Sequence, residues 1–154
     1  MPATISLPPG RRFQVGAPPT SADREDDTTA DLFATPILVI EDEAIIAWLI
    51  EETLEEAGFR SIAVSATGDQ AVAMAARRKP GIIVSDVNLG AGIDGVEAVC
   101  AIRAGRTIPV IFVTGFASDT MTARLEREMP GAQLLRKPVD GAELVRCVMR
   151  LLAN

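Results

Sequence analysis

"PILVIEDEAII", residues 36–46, joins an unbroken apolar run to three consecutive acids, Glu41, Asp42 and Glu43, and then returns at once to apolar residues. A strand that is apolar at every position has no solvent face, so "ILVI" belongs in a sheet covered on both sides. The acids fall where the chain leaves that sheet. Like charges gathered at such a point call for a counter-charge.

The same alternation continues to the end of the chain. "AIIAWLIEETLEEAGF" carries Ile46, Leu49, Ile50 and Leu54 at helical spacing, with Glu43 in its first turn and Gly58 as a C-cap. "SIAV" is a second strand, followed by a helix in "TGDQAVAMAARRKPG", opened by Thr67 and closed by Pro80 and Gly81. "IIVSD", "PVIFVT" and "AQLL" are the remaining strands, and "DGVEAVCAIRA", "SDTMTARLEREM" and "DGAELVRCVMRLLA" the remaining helices. Strand and helix thus alternate five times. Apolar strands separated by helices imply a parallel sheet with helices on both faces, and right-handed crossovers make it doubly wound.

In such a sheet the working loops lie at the carboxyl ends of the strands. Glu41 and Asp42 follow the first strand, Asp86 ends the third, Thr114 ends the fourth and Lys137 follows the fifth. All five are expected at one edge. Three carboxylates brought together repel and have raised pKa values unless a cation sits among them. An oxygen-rich cluster suits a hard ion that keeps waters, Mg²⁺ or Mn²⁺. Lys137 adds a fixed positive charge and Thr114 a hydroxyl donor, which together with the ion would neutralise an incoming phosphoryl group. Asp86 is the best placed nucleophile.

Composition excludes several alternatives. The chain of 154 residues is 48% hydrophobic and carries a formal net charge of −6, which argues against a phosphate-binding surface for nucleic acid. It has no histidine, so Ser-His and Cys-His catalysis are ruled out. Cys100 and Cys147 have no pair spacing and make a zinc site or disulfide framework improbable. No apolar stretch has the length of a membrane span and the first residues lack a signal-peptide pattern, so a cytoplasmic setting is expected. Residues 1–34, with Pro2, Pro8, Pro9, Pro18 and Pro19 and then "TSADREDDTTAD", show neither period and are expected to form a disordered arm, in which Leu32 and Phe33 are the apolar patch suited to local packing. The folded domain is expected over 35–154.

"VIEDE", "IIVSDVNLG", "FVTG" and "RKPV" stand in the order and at the spacing that resemble a receiver domain of a two-component response regulator, from about Thr35 onward. The resemblance implies a flavodoxin-like (βα)5 fold with strand order 2-1-3-4-5. It implies that Asp86 accepts a phosphoryl group from a histidine kinase, that Glu41, Asp42, Asp86 and the backbone carbonyl of Asn88 bind Mg²⁺, and that Thr114 and Lys137 contact the phosphoryl group. The Lys137–Pro138 peptide is implied to be cis.

"VIFVTGF" further resembles the Phe-Ala-Thr-Gly-hydrophobic-Tyr (PFxFATGY) pattern of stand-alone receivers in stress and light signalling, whose kinases are commonly of the HWE or HisKA2 type. Val113 stands in place of the Ala, and Ala117 follows Phe116. Many receivers place Tyr or Phe three positions before the Lys, where this chain has Leu134 and no tyrosine at all. The usual aromatic motion is therefore not expected, and any switch is expected to run through Thr114, Gly115, Phe116 and Leu134 and the segment through residue 129.

Plainer readings apply elsewhere. Glu43 is read as a helix N-terminal acid and Asp94 as a turn or N-cap residue. Trp48, Met74 and Phe112 are read as core, and "RRK" at 77–79 as a charged helix end. The leading function is a stand-alone, monomeric receiver that signals through a protein partner or acts as a phosphate sink, and is not an enzyme in the ordinary sense. A receiver-like binding module independent of phosphorylation is the alternative. A flavin carrier is disfavoured by acids where its phosphate loop belongs, and an aspartyl phosphatase by Asn88 where a second acid would act.

Overall fold

The structure is a computed structural model and describes residues 31–154. Five strands alternate with five helices: β1 Ile37–Ile40, α1 Ala44–Glu56, β2 Ile62–Ser65, α2 Gly68–Arg78, β3 Ile82–Asp86, α3 Gly95–Arg103, β4 Val110–Thr114, α4 Asp119–Glu128, β5 Gln133–Arg136 and α5 Gly141–Leu152. All pairings are parallel and the sheet order is β2-β1-β3-β4-β5. This is the doubly wound order expected from the sequence. The order reverses direction at β1 and β3, which is where the acids emerge.

Alternate side chains along each strand enter different cores. Ile37 and Val39 of β1, Ile82 and Val84 of β3, and Ile111 and Val113 of β4 pack with Ile50 and Leu54 of α1 and Leu144, Cys147 and Val148 of α5. Leu38, Ile40, Ile83, Val110 and Phe112 face the other side, against Ala71 and Ala75 of α2, Val96, Val99 and Ile102 of α3, and Leu125 of α4. A one-residue slip of any central strand would exchange these two sets. The close-packed β1 and β3 therefore fix where Glu41 and Asp86 emerge.

Local chemistry sets the helix limits. Thr67, Asp94, Ser118 and Asp140 each accept a backbone N–H of the following first turn, and Asp94 forms a full capping box with Glu97. Asp94 is thus the N-cap that its position suggested. Pro109 falls just outside β4, and β2 and β5 each run one residue later than "SIAV" and "AQLL" suggest.

Two core assignments change. Trp48 is 57% exposed, because α1 meets the sheet through Ala47, Ile50 and Leu54, and Trp48 lies off that face. Met74 is half-buried at the margin of the α2–α4 core, whereas Phe112 is fully buried. Residues 1–30 lie outside the described residues, and with them most of the arm expected over 1–34. Asp31–Phe33 are helical, and the Phe33 ring meets Phe59 edge-on at 5.2 Å between centroids. The Arg60 N–H donates to the Phe33 carbonyl at 3.1 Å, so contact with the domain begins before Thr35.

Candidate functional site

Four of the five strand ends deliver polar groups to the carboxyl edge of the sheet. Glu41 and Asp42 follow β1, Asp86 closes β3, Thr114 closes β4 and Lys137 follows β5. Glu41, Asp86 and Thr114 are buried although polar, which is costly unless each finds a partner. Lys137 supplies it for the two acids. Its Nζ lies 2.8 Å from Asp86 Oδ2 and 2.9 Å from Glu41 Oε2, the second contact being an ion pair off the hydrogen-bonding direction. Its side chain is itself only 13% exposed.

The charges shift one another. Burial pushes the Glu41 carboxyl above the usual range and the Asp86 charge adds to this, against the opposing pull of Lys137 and of the Glu43 backbone N–H. Burial alone would lower the Lys137 pKa. Its hydrogen bond to Asp86 and its ion pairs with Asp86 and Glu41 outweigh that and hold it above the ordinary lysine value. Lys137 is therefore a permanent cation at this edge.

Backbone amides aim the acids. Asn88 N–H donates to Asp86 Oδ1 at 3.1 Å and Gly90 N–H to Asp42 Oδ2 at 2.9 Å, so the loop after β3 holds an acid from each central strand. Ligand oxygens of Glu41, Asp42 and Asp86 all lie within 4.8 Å of one another. Two of these acids are buried and only Asp42 is exposed, an all-oxygen set open on one side. Three carboxylates against one lysine leave a negative excess, and the donor set fits a hard divalent cation that retains part of its water.

Thr114 is buried, and its hydroxyl donates to the Phe116 carbonyl at 3.0 Å while accepting the Phe116 N–H at 3.3 Å. Its own carbonyl accepts the Lys137 N–H at 2.8 Å. Gly115 borders open space and Phe116 is 75% exposed. Leu134 is half-buried on the α3–α4 side of the sheet and lines a groove with Thr122, Leu125 and Met129. The Lys137–Pro138 peptide is cis.

Four supporting residues escaped the sequence reading. Glu43 occupies the N-cap position of α1 without capping by its side chain, which instead comes within 3.5 Å of Lys137 Nζ. The Glu43 N–H is held by Glu41 Oε1 at 3.1 Å, so Glu43 keeps the helix N-terminal position read for it without supplying the cap. Ser85, buried, donates its hydroxyl to the Asp86 carbonyl at 2.8 Å. At Gly95 a Cβ would lie 1.7 Å from the Asp86 carbonyl oxygen, so only glycine lets α3 begin there. Gly90 comes close enough to Asp42 to donate its N–H, and a Cβ there would press on the carboxylate at 3.0 Å. Contacts spanning 48 to 94 residues leave no periodic trace in a sequence. The glycines were visible, but not what they face.

Comparison with known proteins agrees with this geometry. The response regulator receiver domain family matches residues 37–149. The phyllosphere-induced regulator PhyR of Methylorubrum extorquens is 36% identical over 127 residues, covering 82% of this chain and 46% of PhyR. The transcriptional regulatory protein PdtaR of Mycobacterium tuberculosis is 29% identical over 112 residues, 73% of this chain and 54% of PdtaR. The chain thus spans about half the length of these curated relatives. Among solved structures, the chemotaxis protein CheY4 of Vibrio cholerae superposes with a TM-score of 0.70 at 25% identity, covering 77% of this chain and 98% of CheY4. PhyR of Brucella abortus gives 0.63 at 31% identity, over 84% of this chain and 54% of that one.

Proposed function

The chain belongs to the response regulator receiver domain family, and on that footing we infer that Asp86 accepts a phosphoryl group from a histidine kinase in a Mg²⁺-dependent step. The observation that carries this reading is Lys137 Nζ at 2.8 Å from Asp86 Oδ2 inside a half-open carboxylate cluster. Glu41, Asp42, Asp86 and the Asn88 carbonyl would hold the cation, which when bound would supply charge neutralisation for the phosphoryl oxygens. Asp86 oxygen forms the new P–O bond as the P–N bond to the donor imidazole breaks, and that imidazole keeps the electron pair and takes a proton. Lys137 offsets the charge arriving on phosphorus. Asn88 N–H orients the Asp86 oxygen that it contacts.

Thr114 is the link to signalling. Its hydroxyl now donates to the Phe116 carbonyl. Exchanging that bond for one to a phosphoryl oxygen releases the Gly115–Phe116 backbone and biases the segment through residue 129, with Leu134 yielding space in place of an aromatic switch. Under this reading residues 35–154 act as a monomeric, stand-alone receiver of the PFxFATGY kind in the cytoplasm, and the kinase is of the HWE or HisKA2 type. Output passes through a protein partner, or the domain serves as a phosphate sink.

Intact mass after incubation with Mg²⁺ and an acyl-phosphate donor tests the chemistry. A single phosphoryl adduct is expected, absent in Asp86→Asn and after chelation of the metal. Where small donors fail, transfer from a phosphorylated histidine kinase replaces them. An adduct retained in Asp86→Asn would place the acceptor elsewhere, and no adduct from either donor would favour a binding module that works without phosphate.

A further inference from the structure

The outer face of α1 is chemically unlike the rest of the surface. Ile45, Trp48 and Leu49 stand at helical spacing and are 75%, 57% and 50% exposed, the helix contributing three of the four large exposed hydrophobics among the described residues. Beside them a groove of about 160 Å³ is lined by Ile46, Leu49, Ile50, Thr53, Lys137, Pro138 and Val139. That is about the size of a cavity that accepts one benzene-sized ring. Glu52 shares the face of Trp48 and Leu49, and Glu55 and Glu56 continue it toward the C-terminal end. The helix contains four glutamates and no lysine or arginine. An occupant must therefore be apolar, with an aromatic or branched side chain, and basic.

The chain carries one such segment outside the described residues. Residues 11–15 read Arg-Arg-Phe-Gln-Val, placing two cations next to Phe13 and Val15. The other charged part of residues 1–30, "DREDD" at 23–27, is mainly acidic and would be repelled by the same face. The attachment point is close by. Phe33 packs against Phe59, three residues beyond the end of α1. Residues 14–30 as a relaxed coil span roughly 20–25 Å, and α1 is about 20 Å long, so the segment reaches the groove at an effective concentration on the order of millimolar.

We propose that residues 11–15 dock in cis on α1, with Phe13 in the groove beside Pro138 and Arg11 and Arg12 against the Glu52–Glu55–Glu56 row. A second copy bringing the same α1 face to this one is disfavoured, because each would present its glutamates to the other's. Docking leaves the acceptor cluster intact and covers the surface next to the Lys137–Pro138 turn. It does not depend on Asp86 being phosphorylated.

Trp48 is the only tryptophan and the chain has no tyrosine, so its emission reports this face directly. Acrylamide quenching of the full chain is compared with full-length Phe13→Ser and with Arg11→Glu/Arg12→Glu, at low and at 1 M salt. A quenching constant about two-fold lower in the native chain is expected, rising in both variants and, for the native chain, with salt. Equal quenching in all three overturns the proposal. Protection that appears only as protein concentration rises assigns the contact to another copy and overturns docking in cis. Amide shifts of Leu49, Thr53 and Val139 that respond to Phe13→Ser at low concentration support it independently.

Discussion

The two sides of the carboxyl edge of the sheet are built to different standards. On the β1–β3 side every acid has an assigned partner: Glu41 and Asp86 share Lys137, Asp86 takes the Asn88 amide, and Asp42 takes the Gly90 amide. On the β4–α4 side the Thr114 hydroxyl bonds only within its own loop, Phe116 is exposed, and α4 buries Leu125 alone. What ties α4 down from outside is polar. Arg124 reaches across to the N-cap of α3, with its guanidinium 2.6 Å from Asp94 Oδ2. The groups proposed to handle phosphate are fixed in advance, and the neighbouring helix is held by contacts that small energies can break.

Removing Lys137 should expose this contrast most strongly. Lys137→Met leaves two buried carboxylates without their cation and should cost about 3 kcal/mol in urea unfolding, with part of the loss recovered by millimolar Mg²⁺ occupying the acids. A loss below that of an ordinary surface substitution would mean that the cluster is not preorganised. Arg124→Ala comes next. The pair is about one-third exposed, so about 1 kcal/mol is expected, seen as roughly five-fold faster amide exchange across 119–128 with β1 and β3 unchanged. Equal acceleration in β3 would show that the two sides open together.

The smallest effect is a pH dependence. Burial alone would raise the Asp94 pKa, but the Arg124 guanidinium and the amides of Glu97 and Val96 bring it below its ordinary 3.8. A depressed carboxylate stabilises the fold above its unfolded pKa and loses that contribution as pH falls through the folded one. The native chain should therefore exceed Asp94→Asn by about 0.5 kcal/mol at pH 6, the gap narrowing below about pH 4. A gap that stays constant down to pH 3 would assign it to capping geometry and not to charge.

Much of this was legible in the sequence because it is local or repetitive. Strands apolar at every position and helices between them determine a parallel, doubly wound sheet, and strand ends determine which polar residues meet. The face of α1 was not legible. "AIIAWLI" is apolar all round, so its periodicity cannot tell Ala47 and Ile50, which meet the sheet, from Trp48, which does not. Glu43 was read only in part, for a related reason. Its position is that of a helix cap, but the nearby lysine that draws its side chain comes 94 residues later. The strap between Arg124 and Asp94, the Ser85 hydroxyl and the tight seat of Gly95 likewise depend on crossings that only the folded sheet creates.

The Lys137 amide is bonded to the Thr114 carbonyl, one step beyond the last paired residues of β4 and β5. Two side chains expected to grip the same ligand from opposite sides thus hang from a common crossbar. Displacing one strand end carries the other with it, so the site has a single adjustable opening where two independent jaws would have needed separate alignment. A grip of this kind tolerates drift of the β4–β5 edge as a whole and fails when the crossbar is cut.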